Sequence, residues 1–246
     1  MSGHSKWSTI KRKKGALDAK KGAEFTKLGR LVEVAAKSGA DPAMNFRLKL
    51  AIQKAKSANM PSANIDKAIR KGAGLDKDKS SIEEVLYEGM APGNVAVMIQ
   101  ALTNNRNRTV SDLRNLFTKF GGSLGNSGSV AWQFANRGVL IIPKTDPEIE
   151  LKAIEAGAED IQDQDDVMEI YTKPNELNQV RQALINAGVT IQEDKLALVP
   201  TTTAKITDPN IASKVIQLMD ALEDNEDVTE VFSNFDIDDT ILNSLS

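Results

Sequence analysis

Lysines recur at Lys6, Lys13, Lys20 and Lys27, one every seven residues. On an α-helix such a repeat drifts only about 20° per step, so the four ammonium groups would line one stripe. Lys14, Lys21 and Arg30 flank it, Lys11 and Arg12 belong to a basic arm over residues 1–16, and residues 6–30 hold nine Lys+Arg against only Asp18 and Glu24. Cations in such excess cannot be neutralised within their own segment, and the chemistry they suit is phosphate-backbone binding. The competing reading is a solvated helix face. Trp7, set among the lysines, has the flat ring to stack on a base, or to anchor the arm on its own protein.

A second candidate is Thr103-Asn104-Asn105-Arg106-Asn107-Arg108-Thr109, placed where a strand should give way to a helix. Free N–H groups at a helix start favour anions, and Arg106 and Arg108 would add fork-shaped donors, with Arg114 one turn further on. The bland alternative is a polar turn with a capped helix. Gly121–Ser129 is rich in glycine, but its spacing fits neither common nucleotide-phosphate cradle, and it reads as a flexible connection. The acidic stretch Glu159, Asp160, Asp163, Asp165, Asp166 and Glu169 has no calcium-loop spacing and reads as a solvated edge.

Composition narrows the classes further. Among 246 residues there is no Cys and one His, His4, which removes disulfides, thiolate metal sites and cysteine nucleophiles and makes a Ser-His-Asp triad unsupported. No acid–base pair converges in the basic regions, so no enzyme is expected, and no cofactor, metal or small-molecule substrate. The net charge of −3 conceals a dipole. Residues 1–79 carry 19 Lys+Arg against 7 Asp+Glu, and residues 146–246 carry 6 against 23. That asymmetry points to a polyanion at the N-terminal end, with the acidic end repelling it. Residues 1–15 lack the apolar run of a signal peptide, and Val139–Ile142 is far short of the ~20 apolar residues that span a bilayer. A cytoplasmic protein without a membrane partner is expected.

The elements that must position these groups follow from periodicity. Leu17, Phe25, Leu28, Val32, Ala35 and Ala36 fall at helical spacing, with Gly39 as the stop. Asp41-Pro42 reads as N-cap and first-turn proline of a second helix carrying Leu48, Ile52 and Ala55, and Pro61-Ser62 starts a third. Beyond the polar linker 76–81, Val85–Tyr87 and Val95–Leu102 read as strands, Thr109–Phe120 as a helix with Thr109 and Asp112 in capping-box positions, and Val130–Phe134 as a strand. Residues 137–199 then run strand (Val139–Ile142), helix (Pro147–Ala156), strand (Ala158–Ile161), strand (Val167–Tyr171), helix (Pro174–Ala187) and strand (Thr190–Val199), the split βαβ order. A helix at Asn210–Leu222 and a strand at Val228–Phe235 would complete the preceding module. The expected fold is α+β and multidomain: a basic helical domain (1–76), an α+β domain (80–134 plus 205–242), and an acidic ferredoxin-like domain (135–204) inserted into it.

Several blocks in order resemble the YebC/PmpR family: Gly3-His4-Ser5-Lys6-Trp7, Ile10-Lys11, Phe25-Thr26-Lys27, Asp41-Pro42 and Met60-Pro61 with Ala68-Ile69. Tyr87-Glu88-Gly89 with Pro92-Gly93, Asn105-Arg106-Asn107-Arg108-Thr109 and Gly121-Gly122 through Gly128-Ser129-Val130 continue the match. Met90 and Ala91, Asn104 and Phe46 depart from residues usual in that family. The resemblance implies a helical N-terminal domain with two α+β domains, and a cytoplasmic DNA-binding transcriptional regulator, the mitochondrial relatives being ribosome-associated translational activators. The missing leader before Gly3-His4 fits a bacterial-type member. Three functions are therefore carried forward: a nucleic-acid-binding regulator, a ribosome-associated translation factor holding ribosomal or transfer RNA, and an acidic adaptor for a basic protein. The predominance of Lys over Arg suits backbone contact better than base reading.

Overall fold

The computed structural model describes residues 21–76, 81–144, 148–164, 167–238 and 240–242. Lys6, Trp7, Lys11, Arg12, Lys13, Lys14 and Lys20 lie outside the described residues. The chain forms two compact units, one made of residues 134–199 and the other of the segments on either side of it.

The flanking unit begins with three helices. In α1 (Lys21–Ala36), Leu28, Val32, Ala35 and Ala36 make one buried stripe. It packs on Leu48, Ala51 and Ala55 of α2 (Phe46–Ser57) and on Ile65 and Ala68 of α3 (Ser62–Gly72). Helix α2 starts at Phe46 rather than at Pro42. Its N-cap is Asn45, whose Oδ1 accepts from the Leu48 N–H at 3.0 Å while Nδ2 donates to the carbonyls of Ala35 and Gly39, both at 2.8 Å. Asp41 instead closes a turn, accepting from the Ala43 N–H at 2.9 Å. Two residues compete for one cap, and the one that also satisfies the end of α1 wins. Close approach explains Gly72: a Cβ there would run into the Glu33 carbonyl and Ala36 of α1.

The same unit continues into a sheet ordered β3-β1-β2-β9, from β1 (Glu83–Ala91), β2 (Val95–Thr103), β3 (Ser123–Leu124) and β9 (Val228–Ser233). The β1–β2 register is unbroken from Glu83↔Thr103 to Ala91↔Val95, Met90 and Ala91 included. Gly93 and Asn94 make the turn at φ 77° and 58°, a region those two residue types tolerate best. Helix α4 (Arg106–Lys119) contributes Leu113 and Phe117 to the core, and α7 (Pro209–Asp224) contributes Val215, Leu218, Met219 and Leu222. These pack on Val95, Val97 and Ile99 of β2 and Val231 of β9. Each such side chain, fully buried, stabilises by about 1.5–3 kcal/mol before entropy is counted. Helix α4 begins three residues earlier than its sequence suggests. Asn105 caps it, accepting from the Arg108 N–H at 3.1 Å, and Thr109 is buried in the first turn. A small parallel pair, β8 (Ala204–Ile206) with β10 (Phe235–Ile237), closes the unit.

Read as β9-β2-β1-β3, this sheet has the 4-1-3-2 order of a split βαβ fold, except that the third position is filled by the strand before the first. The 134–199 unit is the regular version. Its strands are β4 (Phe134–Pro143), β5 (Asp160–Gln164), β6 (Val167–Thr172) and β7 (Glu193–Pro200), ordered β5-β6-β4-β7. Helices α5 (Ile149–Glu155) and α6 (Leu177–Asn186) bury Ile149, Ala153, Leu177, Val180 and Leu184. Val130–Phe134, expected as strand, is a 310 turn at Ala131–Gln133 leading into β4. The fold is thus α+β, with a helical N-terminal domain and two ferredoxin-like-type domains, the third inserted in the second.

Candidate nucleic-acid interface

The turn between α7 and β9 places Asp227 under the helical domain with 1% of its surface exposed. Arg108, on the first turn of α4, reaches it with Nη2 at 2.8 Å from both carboxylate oxygens. Arg30, on α1, reaches Oδ1 at 2.8 Å and the Glu226 carbonyl at 3.0 Å. Thr109 donates to Oδ2 at 2.8 Å, and Thr103 Oγ1 lies 3.2 Å from the same oxygen. Burial alone would push the Asp227 carboxyl up. The hydrogen bonds from Arg108 and Thr109, with the charges of Arg108 and Arg30, outweigh it and hold the group below its ordinary value. The same contact raises Arg108 above the usual guanidinium value.

Around this centre the helical domain is bound to the sheet by its own cations. Lys27 donates to the Glu223 carbonyl at 2.5 Å and Lys37 to that of Ile82 at 2.5 Å. Arg47 pairs with Glu84 and Lys54 with Glu230, both at 2.5 Å. An apolar contact of Val34 with Ile82 and Leu102 lies beneath them. The structure therefore brings Arg30 and Arg108 together on one carboxylate, seats Lys27 near the end of α7, and sends Arg106 to Glu83 at 2.5 Å on the surface. Lys21 begins α1. Asn105 takes the Arg108 N–H, so at this residue the cap, rather than an open anion-binding amide, is what the first turn of α4 presents.

Other cations are differently placed. The side chains of Lys49 and Lys56, seven residues apart on α2, and of Lys67 on α3 make no ion pair or hydrogen bond among the described residues; Lys56 and Lys67 are exposed. Arg114 is likewise exposed without an ion pair among them. Thr26, Asn64 and Lys67, with Phe25, Met60, Ala68 and Lys71, line a groove of about 240 Å³ between α1 and α3.

A further built feature is the loop after β3. Glu88, buried in β1, accepts N–H bonds from Gly128 at 2.6 Å, Val130 at 2.8 Å and Ala131 at 2.9 Å. Burial would raise its carboxyl, but these backbone donors bring it below its ordinary value. The glycine-rich segment expected as a flexible connection is thus fastened to the sheet by one carboxylate. Neither Glu88 nor Asp227 is marked by sequence patterning. Glu88 stood between strand residues and Asp227 in an acidic run, where a solvated face is the natural reading. Among the described residues no group of three or more His, Asp or Glu is placed to hold a metal ion, and no helix is long and apolar enough to cross a membrane.

A helical domain clamped on a split βαβ sheet, with a second split βαβ unit inserted in the sequence of the first, defines the class, and the comparisons place the chain within it. Residues 5–75 match the TACO1/YebC protein N-terminal domain and residues 82–235 the TACO1/YebC second and third domain. The chain belongs to the TACO1/YebC family. A "Probable transcriptional regulatory protein" of Rubrobacter xylanophilus is 50% identical over 98% of both chains. A protein of the same description from Sulfurihydrogenibium sp. is 48% identical over 100% of this chain and 99% of its own. The crystal structure of a conserved hypothetical protein from Aquifex aeolicus superposes with a TM-score of 0.83 at 47% identity, covering 90% of this chain and 92% of that one.

Proposed function

We propose that the protein is a non-enzymatic, cytoplasmic regulator of gene expression that binds nucleic acid through its basic N-terminal domain. The carrying observation is the pairing pattern. Lys49, Lys56 and Lys67 have no carboxylate partner among the described residues, and residues 1–20 add six more Lys and Arg. The name shared by the relatives, probable transcriptional regulatory protein, supports the same reading. Lysines of this kind hold phosphates and carry little sequence information.

A second reading, a ribosome-associated translation factor, is favoured by one feature. Arg30 and Arg108, whose forked guanidinium groups suit reading guanine edges, are committed to Asp227. With these two forks occupied, the lysines of the helical domain offer a ligand charge and shape, which is how structured RNA is recognised.

The test is binding to a duplex from the gene's own upstream region, a scrambled duplex and a ribosomal RNA hairpin across a salt series. Wild type should bind with a steep salt dependence. Lys49→Glu/Lys56→Glu/Lys67→Glu should flatten the log–log slope on duplex DNA by about 2–3. Equal affinity for the two duplexes with tighter hairpin binding selects the translation reading. Absence of salt-dependent binding to all three overturns both.

A further inference from the structure

Trp132 is 71% exposed, although the residues on both sides of it are fixed by hydrogen bonds. On one side Ala131 is fixed by the Glu88 carboxylate. On the other, the Gln133 carbonyl accepts from the Thr201 N–H at 2.8 Å and its hydroxyl at 3.0 Å, and Gln133 Oε1 lies 2.9 Å from Asn234 Nδ2. The indole N–H itself donates to the Ser129 carbonyl at 3.3 Å. The ring is therefore aimed, and its only donor is used within the loop.

A tryptophan so held contributes little burial to its own fold, since large aromatics stabilise by the area they remove from water. What it offers a ligand is its π face alone. No residue from Gly121 to Gln133 is charged, so the loop has no phosphate grip of its own. It presents small polar side chains, Asn126, Ser127 and Ser129, around one flat ring. A matching partner must be flat, carry hydrogen-bonding edges and be held by its charges elsewhere on the protein. An unpaired nucleobase on a strand whose phosphates engage the basic domain has those properties; a base inside a duplex has no free face to give.

We propose that Trp132 is a stacking platform for an unpaired nucleobase, making single-stranded nucleic acid the ligand of this loop. This rests on the nucleic-acid reading above and goes beyond it in naming the strand state and the contact. Base–aromatic stacking is sequence-tolerant, so the site would accept any exposed base of a loop or open strand.

The experiment uses the full chain, a 12-nucleotide oligouridine and a 12-base-pair duplex. The difference in emission between wild type and Trp132→Ala reports the Trp132 ring, and circular dichroism confirms that the variant folds. Oligouridine should quench that difference signal and the duplex should not. Trp132→Ala should weaken oligouridine binding by about 5- to 150-fold, Trp132→Phe should restore most of it, and duplex affinity should be unchanged. Unaltered oligouridine affinity in Trp132→Ala, with duplex binding intact, overturns the stacking site and leaves the nucleic-acid reading standing. Failure of both ligands to bind wild type overturns both.

Discussion

Arg108 holds both carboxylate oxygens of Asp227 at 2.8 Å across 119 residues of sequence. Arg30 closes on the same group from the helical domain. One buried carboxylate thereby joins the first helix, the first turn of α4 and the entry to β9.

Removing that charge should be expensive. Asp227→Asn leaves two guanidinium groups facing an amide, and breaking a fully buried pair costs about 3–5 kcal/mol. Both arginines retain some contact with water, so a loss of about 2–3 kcal/mol is expected in urea unfolding. A loss under about 0.5 kcal/mol would show that the packing of Val34, Ile82 and Leu102, and not Asp227, joins the domain to the sheet.

Acid should act through the same group. The folded Asp227 and Glu88 carboxyls both titrate below their ordinary values. Their contribution is complete above the unfolded values, about 3.9 and 4.3, and is lost as pH falls through the lower folded values. The midpoint of thermal unfolding should hold between pH 5 and 7 and fall steeply below about pH 4. Asp227→Asn/Glu88→Gln should start lower and show a shallower fall.

The loop has its own signature. Glu88→Gln keeps one accepting oxygen and loses the charge that strengthens three backbone bonds, each worth about 1.5–3 kcal/mol to a charged acceptor. Amide exchange at Gly128, Val130 and Ala131 should accelerate while that of β6 stays unchanged. Uniform acceleration across the chain would mean that the carboxylate supports the whole fold and not this loop.

Surface pairs supply the contrast. Lys54 and Glu230 meet at 2.5 Å, but their side chains are 50% and 29% exposed. A double-mutant cycle should give a coupling of about 0.2–1 kcal/mol, and less at high salt. A larger value would mean that this pair acts as part of a network with its neighbours.

Close approach predicts one further loss. Gly72→Ala must push α3 away from the Glu33 carbonyl, and overpacking of this kind costs about 1–3 kcal/mol. Thermal unfolding of the variant checks it; an unchanged midpoint would show that α1 and α3 separate at no cost.

The helices and most strands were legible because apolar spacing is a local property: Leu28, Val32 and Ala35 mark α1 without reference to anything else. The start of α2 was not, because Asp41 and Asn45 have the same capping chemistry. What separates them is the pair of carbonyls at the end of α1 that only Asn45 reaches. Arg106 and Arg108 were legible as forked donors for an anion, and Arg30 as a cation beside the lysine stripe. That Arg30 and Arg108 meet Asp227 depends on partners 197 and 119 residues away, and no local pattern encodes a contact of that length. Trp132 escaped notice for the opposite reason, since its sequence neighbours make it look like one apolar residue among strand formers.

The position of β9 also governs how the chain can emerge during synthesis. Strand β2 is buried along nearly its whole length, and one of its edges stays open until residues 228–233 have been made. The 134–199 unit has all its strands in hand by then and can fold first. A chain truncated before Val228 would consequently display an apolar, unpaired strand edge of the kind that recruits other chains. Fragments ending there should accumulate as aggregates, so the helical domain cannot be obtained in its clamped form by simply shortening the protein from its C-terminal end.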